Sequence, residues 1–159
     1  MYSTLTDETG SMSRQADSYP AETTILSDPA EARPIQDDIE QALRAHQYSE
    51  REVFSIRLAV EEAIINAMKH GNGFDRAKKV RVGYRVLPER FDIEITDEGP
   101  GFNPEDLPDP TAVENLERPC GRGVLLMRHY MTSVNFNERG NCVTMSKLRT
   151  DCPPNNGKH

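Results

Sequence analysis

The spacing of the apolar residues changes abruptly near residue 72, from a helical period to strict alternation. Residues 49–70 carry apolar side chains at helical spacing and end at the Gly-Asn-Gly sequence of 71–73. Residues 80–86 and 91–95 then alternate apolar and polar side chains, with a short link at 88–90. This change of period predicts a helix followed by an antiparallel hairpin of two half-buried strands.

The remaining segments predict further elements of both types. The Ser-Asp-Pro sequence at 27–29 is a typical helix start, and Ser49 is placed to cap the second helix. Strands are also expected at 22–26, 134–136 and 143–145, and helices up to His46 and at 122–130. Together these elements predict an α+β fold, a two-layer α/β sandwich with helices on one face of a mixed, mainly antiparallel sheet.

The 159 residues are about the length of one domain. We expect residues 1–20 to be a disordered tail, because they are rich in serine, threonine and acidic residues and have no apolar core. The folded domain is expected at 21–149, and the polar residues 150–159 are expected to fray. Residues 102–120, rich in proline and acidic side chains, predict a long mobile loop.

Composition disfavours several classes of function. A net charge of −7 argues against a general binder of the nucleic-acid backbone, so protein or small-molecule partners are favoured. No apolar run approaches the roughly 18 residues of a membrane span, and the N-terminus does not resemble a secretion signal. The three cysteines form no CxxC pair, which suits a reducing compartment, and we expect a soluble, cytoplasmic protein.

The second helix carries polar residues on a row that begins as apolar. Residues four apart share one face of a helix, and this row consists of Phe54, Leu58, Glu62, Asn66 and His70. Burying Glu62 and Asn66 without partners would cost several kcal/mol, so the row either lines a polar cavity or faces solvent. The adjacent Glu61 lies one turn after Arg57, a spacing typical of a surface ion pair, and is assigned to solvent.

Two glycine-rich turns follow in the sequence. In DEGPG, Asp97 ends a strand and is placed to accept a hydrogen bond from the exocyclic amine of adenine, or else to cap its own backbone turn. In CGRGV, the glycines at 121 and 123 open a helix, where free N–H groups and the helix dipole favour phosphate. Each turn is a weak signal by itself, and a packing turn is the alternative for the second.

The order of these signals is more specific than any one of them. EEAIINAMKHGNG, DEGPGF and CGRGVLLM resemble the N box and the two glycine boxes of the GHKL ATP-binding fold. Within that fold, the sequence is similar to the anti-sigma factor serine kinases over roughly residues 22–148. The resemblance implies a helix layer over a mixed sheet, with ATP held between the N-box helix and a lid.

The resemblance implies roles by position in these motifs. Glu62 matches the general base of the family, and Asn66 matches its magnesium ligand. Asp97 matches the aspartate that reads adenine, and Gly99 and Gly101 match the glycines beside the base. A single asparagine carbonyl is a sensible magnesium ligand, because Mg²⁺ prefers hard oxygen atoms and is often shared with phosphates and water.

Further matches concern the phosphates and the adenine contact. Gly121 and Gly123 match the phosphate-side glycines of the family. Arg122 lies between them, where an apolar residue is common, so it either contacts phosphate or faces solvent, and Arg118 in the loop is a second possible phosphate partner. Thr144, on the closing strand, resembles the threonine that supports the adenine contact. The implied cofactors are ATP and Mg²⁺.

The family resemblance implies an enzyme, a serine/threonine protein kinase that phosphorylates a small antagonist protein and sequesters a sigma factor. It also implies a homodimer. The chain has no separate module with a phospho-accepting histidine and no P-loop, which disfavours other phosphoryl-transfer machines. No direct nucleic-acid or membrane partner is expected. The alternatives are an ATP-gated binding protein without phosphoryl transfer and a domain that binds no nucleotide.

Overall fold

A computed structural model describes residues 19–101 and 119–149 of the chain. Residues 1–18, most of the predicted loop at 102–120, and the predicted C-terminal tail lie outside these ranges. Within the described ranges, no helix combines the length and the apolar character needed to cross a bilayer.

The sheet has five described strands in the order β1-β2-β3-β5-β4. Their bounds are β1 Ala21–Leu26, β2 Lys79–Val86, β3 Arg90–Asp97, β4 Ser133–Phe136 and β5 Cys142–Leu148. Each neighbouring pair is antiparallel. The predicted hairpins β2–β3 and β4–β5 are therefore confirmed, and so is the mainly antiparallel sheet.

In the described ranges the α-helices that accompany the sheet are α1 Ala32–Ala45, α2 Glu50–Asn66 and α3 Pro119–Tyr130. Asp28 caps the short 3₁₀ turn Pro29–Glu31 that precedes α1, because its carboxylate accepts a hydrogen bond from the N–H of Ala30. Both expected helix starts are therefore observed, since Ser49 caps α2 and forms a reciprocal pair of hydrogen bonds with Glu52.

The helices pack on one face of the sheet, as predicted. The largest fully buried side chains come from both layers: Ile39, Leu43, Ile56, Val60 and Ile64 of the helices, and Val80, Phe91, Ile93, Ile95 and Met145 of the strands. Alternation along β3 turns Asp92 toward the other face. There it is buried by Arg85, Arg90 and Ser146, each of which donates a hydrogen bond to its carboxylate.

Two helix ends differ from the prediction in ways that affect the site. Helix α3 begins at Pro119, three residues before the expected start at Arg122, and proline is favoured in the first turn because its missing N–H is not needed there. Helix α2 does not continue regularly to His70. Its last turn, Ala67–Gly71, is a π turn, a rare geometry that widens the helix end.

Candidate nucleotide-binding site

The polar pair of α2 lies against the first turns of α3. Glu62 and Asn66 are both half-buried. A Cβ atom added to Gly123 would lie 3.0 Å from Asn66 Nδ2, 3.1 Å from Asn66 Oδ1 and 3.2 Å from Glu62 Oε1. The pair therefore faces another element of the site rather than open solvent, and glycine at 123 leaves room for these side chains.

The neighbouring Glu61 faces solvent, as the sequence predicts, although the spacing to Arg57 does not lead to an ion pair between them. Its side chain is exposed, one position away from the half-buried Glu62. The ion pair that the structure gives Arg57 is with Glu40 of α1, at 3.1 Å between Arg57 Nε and Glu40 Oε2. The two glutamates at 61 and 62 therefore occupy different environments, and Glu61 offers a natural control for experiments on Glu62.

The end of α2 packs directly on the DEGPG turn. Gly71 closes the π turn, and a side chain there would overlap the carboxylate of Asp97. A side chain at Gly99 would overlap the carbonyl oxygen of Gly71. Glycine is needed at both positions because backbone approaches backbone or carboxylate more closely than a Cβ atom allows. The first two motifs are therefore joined into one surface.

Asp97 is buried where the end of α2 meets the DEGPG turn, with only 8% of the residue exposed. Its Oδ1 atom accepts a hydrogen bond of 2.8 Å from the N–H of Gly99, so the expected backbone cap is present. Burial raises the pKa of Asp97, while the Gly99 hydrogen bond and the positive charges of Arg139 and Lys78 act in the opposite direction. The carboxylate is thus kept in a site where its charge is poorly solvated.

The turn between β4 and β5 supports the same motif from the other side. Gly101 has a φ angle of +84°, and a side chain there would overlap the carbonyl oxygen of Arg139. The guanidinium of Arg139 donates a hydrogen bond of 3.3 Å to the carbonyl of Gly99. Gly101 therefore combines a left-handed backbone with close packing, both of which favour glycine.

The structure does not bring Thr144 to this group of residues. Thr144 is paired with Glu94, and Val143 with Ile95, so Thr144 lies on the sheet face opposite to the helices. Asn141 is the β5-side residue beside Asp97, because the N–H of Asp97 donates to its carbonyl at 2.9 Å. Thr144 and Asp97 therefore lie on opposite faces of the sheet, since a shift of three positions along a strand reverses the face. The support of the adenine contact by Thr144 stays a prediction.

Two asparagines beside Asp97 were missed by the sequence reasoning. Asn141 Nδ2 donates a hydrogen bond of 3.1 Å to the carbonyl of Asp97, and Asn72 Oδ1 accepts one of 2.8 Å from the N–H of Glu98. Asn72 is only 3% exposed. Its position between two glycines was read only as the end of the helix, although a buried asparagine requires polar partners from elsewhere in the chain.

The second glycine motif lies inside α3 rather than before it. Because α3 begins at Pro119, Gly121 is in its first turn and Gly123 follows in the next. N–H groups of a first helical turn have no partner within the helix, so the backbone at Gly121 retains the character expected of a phosphate site. Arg118 and the side chain of Arg122 lie outside the described part of the structure.

Lys69 and His70 lie at the edge of this group of residues. Lys69 and His70 are both exposed, as expected for a solvated helix end. Partial burial and the neighbouring charge of Lys69 lower the pKa of His70. Within residues 19–101 and 119–149, no cluster of three or more histidine, cysteine or acidic side chains is arranged to hold a metal ion.

Comparison with known proteins identifies the family of the chain. Residues 25–147 match the model of the histidine kinase-like ATPase domain family. A serine-protein kinase RsbW of Oceanobacillus iheyensis is 27% identical over 107 residues, which cover 63% of this chain and 68% of that protein. The serine-protein kinase RsbW of Bacillus subtilis is 29% identical, with 63% of this chain and 67% of that protein covered.

An anti-sigma F factor of Clostridium perfringens is 31% identical over 102 residues, which cover 60% of this chain and 72% of that protein. The match to the family model covers β2, β3 and β4 completely, β5 except Leu148, and the last two residues of β1. The family that the motifs predicted, and the expectation of a serine/threonine protein kinase, are confirmed. The chain belongs to the histidine kinase-like ATPase domain family, in its branch of anti-sigma serine kinases.

Proposed function

We propose that this kinase binds Mg²⁺-ATP across α2, transfers the γ-phosphoryl group to a hydroxyl of a small antagonist protein, and sequesters a sigma factor. The observation that carries the proposal is the position of Gly123 beside both Glu62 and Asn66, so close that an added Cβ atom would crowd them. It joins the phosphate-side glycines to the expected base and metal ligand. At the end of the same helix, Gly71 meets Asp97, which supports a base site there.

The nucleotide base is proposed to lie at Asp97. Since Oδ1 already accepts the hydrogen bond from Gly99, Oδ2 is the oxygen assigned to the exocyclic amine of adenine. Gly99 and Gly101, in the same turn as Asp97, are proposed to lie beside the flat ring. Asn141 is the residue of the closing hairpin that supports Asp97.

The phosphates are proposed to lie at the first turns of α3, at Gly121 and Gly123, and the backbone at Gly123 lies close to Glu62 and Asn66 of α2. The residues present fit a magnesium ion shared with phosphate, because Asn66 offers one hard oxygen ligand beside this position. When bound, Mg²⁺ neutralises charge on the β- and γ-phosphate oxygens. Arg122 is a further candidate for phosphate contact, or it faces solvent.

Glu62 is proposed as the general base. It lies one helical turn before Asn66, and its Oε1 atom faces the same glycine of α3. A carboxylate in this position can accept the proton of a serine or threonine hydroxyl as that oxygen attacks the γ-phosphorus. A protein that only used ATP as a switch would not need this carboxylate.

The regulatory part of the proposal rests on the relatives, some of which are named serine-protein kinases and some anti-sigma F factors. Phosphorylation would add about two negative charges to the antagonist. Those charges would break its contact with the kinase, so the kinase would then capture the sigma factor and restrict transcription. We further propose a cytoplasmic homodimer whose kinase domain spans residues 21–149.

A Glu62→Gln variant tests the catalytic role, with Glu61→Gln as the matched control. Loss of a general base is expected to reduce phosphorylation of the antagonist by roughly 100-fold or more. Labelled ATP and a small antagonist encoded beside the kinase gene would be used, and ATP binding would be measured in parallel. Glu61→Gln should retain full activity, because its side chain is exposed.

The same experiment separates the two candidate functions. Undiminished phosphorylation by Glu62→Gln would remove Glu62 from the mechanism. If the unmodified protein binds Mg²⁺-ATP but transfers no phosphoryl group to any candidate antagonist, the ATP-gated binding protein would be the better description. A protein whose melting temperature is unchanged by saturating Mg²⁺-ATP would contradict nucleotide binding altogether.

A further inference from the structure

The peptide group between Asp97 and Glu98 is held at both ends by asparagine side chains. Its carbonyl oxygen, on Asp97, accepts a hydrogen bond of 3.1 Å from Asn141 Nδ2. Its N–H, on Glu98, donates one of 2.8 Å to Asn72 Oδ1. The two asparagines come from the end of α2 and from the β4–β5 turn, so elements far apart in sequence fix one peptide plane.

The Asn72 side chain is fully engaged in this arrangement. Its Nδ2 atom donates to Ser27 Oγ at 2.9 Å and to the carbonyl of Lys79 at 3.0 Å. Both hydrogens of the amide and its oxygen therefore have partners. A flipped amide would set its oxygen against the carbonyl of Lys79 and its NH₂ against the N–H of Glu98. The hydrogen-bond partners thus allow only one orientation of the side chain.

Asn141 is fixed in a similar way by the hairpin turn. Its Oδ1 atom accepts a hydrogen bond of 2.8 Å from Asn137 Nδ2. Its own carbonyl accepts from the N–H of Asp97 at 2.9 Å. Both polar groups of the Asp97 backbone are therefore bound to Asn141, on the side of Asp97 opposite to Asn72.

The direction of the Asp97 carboxylate depends on this backbone. The hydrogen bond that the structure gives to the carboxylate is local, from the N–H of Gly99 in the same turn. A local cap moves together with its turn, so it does not set the direction of the side chain relative to α2. Rotation of the Asp97–Glu98 peptide would turn the whole group away from Gly71.

We propose that Asn72 and Asn141 are positioning residues that clamp the Asp97–Glu98 peptide and thereby aim the Asp97 carboxylate at the nucleotide base. This inference rests on the proposed function, because it assigns the base to Asp97. It extends that function by explaining how the orientation of the Asp97 carboxylate gives selectivity for adenine over guanine. Neither asparagine contacts the base, and both act through Asp97.

The test compares the affinities of ATP and GTP, each with Mg²⁺, by displacement of a fluorescent ATP analogue from the full chain. Guanine lacks the amine that is proposed to donate a hydrogen bond to Asp97, so the ratio of the two affinities reports the orientation of the carboxylate. Asn72→Ala and Asn141→Ala are each expected to reduce the preference for ATP by about 5-fold to 10-fold, the effect of one misplaced hydrogen bond.

A double-variant comparison distinguishes an effect on the orientation of the Asp97 carboxylate from a general loss of stability. In an Asp97→Asn background, Asn72→Ala should cause no further change in the ATP-to-GTP ratio, because its effect passes through the missing carboxylate. Ser27→Ala is the matched control. It removes one partner of Asn72 but leaves the hydrogen bond to Glu98, so it should lower the melting temperature without changing the ratio.

The outcomes separate this inference from the proposed function. If Asp97→Asn leaves the ratio unchanged, the base is not read by Asp97, and both proposals fail. If Asp97→Asn lowers the ATP-to-GTP ratio but neither asparagine variant does, the proposed function stands and only the positioning role of Asn72 and Asn141 is wrong. If Ser27→Ala lowers the ATP-to-GTP ratio as much as the asparagine variants do, loss of stability explains the effect and the clamp is wrong. Should Asn72→Ala not fold, Asn141→Ala decides the question, because it leaves the buried Asn72 hydrogen bonds in place.

Discussion

At the scale of single residues, Asp97 shows how a binding role opposes stability. Its carboxylate is almost fully buried, and burial raises its pKa. A group whose pKa is higher in the folded state stabilises the fold below its unfolded pKa. That contribution is lost as the pH rises through the folded pKa. At neutral pH the charged carboxylate therefore destabilises the nucleotide-free protein.

Asp97→Asn is accordingly expected to raise the melting temperature of the nucleotide-free protein at pH 7 and to weaken ATP binding by about tenfold or more. The gain in melting temperature should shrink as the pH falls into the range between the ordinary and the raised pKa of Asp97. Thermal melts over a pH series, with and without Mg²⁺-ATP, would measure both effects. A variant that is less stable at every pH would contradict this account of Asp97.

Gly123 makes a second prediction at this scale. The methyl group of Gly123→Ala would crowd Asn66 and Glu62 at 3.0 to 3.2 Å, so both side chains must move. Alanine also favours a helix over glycine by about 1 kcal/mol, which offsets the crowding. We expect ATP affinity to fall about tenfold while the free energy of unfolding changes by no more than ~1 kcal/mol.

The Gly123 prediction is checked by calorimetric titration with Mg²⁺-ATP and by urea unfolding. Leu126→Ala, an exposed position of the same helix, is the control and should leave ATP affinity unchanged. If Gly123→Ala binds ATP as well as the unmodified protein, the contact of α3 with Asn66 and Glu62 is not part of the phosphate site.

At the scale of elements, α2 carries Glu62 and Asn66 at the proposed phosphate end of the site, and the turn that follows it packs on Asp97 at the proposed base end. The start and the end of this helix therefore fix the positions of the site residues. Its start is defined by Ser49 and Glu52, which exchange hydrogen bonds of 3.1 Å and 3.0 Å between side chain and backbone. Its π turn ends at Gly71, against Asp97. A rigid start and a tightly packed end hold Glu62 and Asn66 between two fixed points.

Ser49→Ala tests the contribution of the helix start. Loss of the cap should lower the free energy of unfolding by about 1 kcal/mol, within the 0.5–2 kcal/mol usual for such caps. ATP affinity should stay within about twofold, because Asn66 lies roughly 25 Å along the helix from the cap. Urea unfolding and nucleotide titration measure the two quantities. Ser133→Ala, an exposed serine at the start of β4, is the control and should change neither.

At the scale of the whole molecule, Arg149 joins parts of the chain that lie far apart in sequence. Its buried guanidinium donates to the carbonyls of His46, Gln47 and Pro88 and lies 4.1 Å from the centre of the Tyr48 ring. Arg149 Nε lies 3.6 Å from the buried Glu52 carboxylate, a distance for an ion pair rather than a hydrogen bond. The end of β5 is thus tied to the α1–α2 loop and to the β2–β3 turn.

Arg149→Ala should therefore destabilise the protein by about 3 kcal/mol or more, because the buried Glu52 would lose its cation and three carbonyls would lose a donor. Urea unfolding measures the loss, with Arg128→Ala at an exposed position of α3 as the control. Nucleotide affinity measured well below the melting temperature should be nearly unchanged. A loss below about 1 kcal/mol would show that the cluster is dispensable.

The sequence alone determined the helices, the strands and the motifs of this protein. Amphipathic periods, the cap at Ser49 and the glycines of DEGPG act over a few residues, so a linear reading detects them. The order of the motifs carries the family resemblance, and the resemblance implies the expected roles of residues such as Glu62 and Asp97.

Only the tertiary structure decided which residues meet. Asn72 contacts Ser27 and Glu98, and Asn141 contacts Asp97, across 26 to 45 positions of the chain. Thr144 lies on the other face of the sheet from Asp97 because side-chain direction on a strand reverses at every residue, and the face that a β5 residue occupies depends on the register of β5 with β3. These contacts follow from long-range packing, for which local spacing carries no signal.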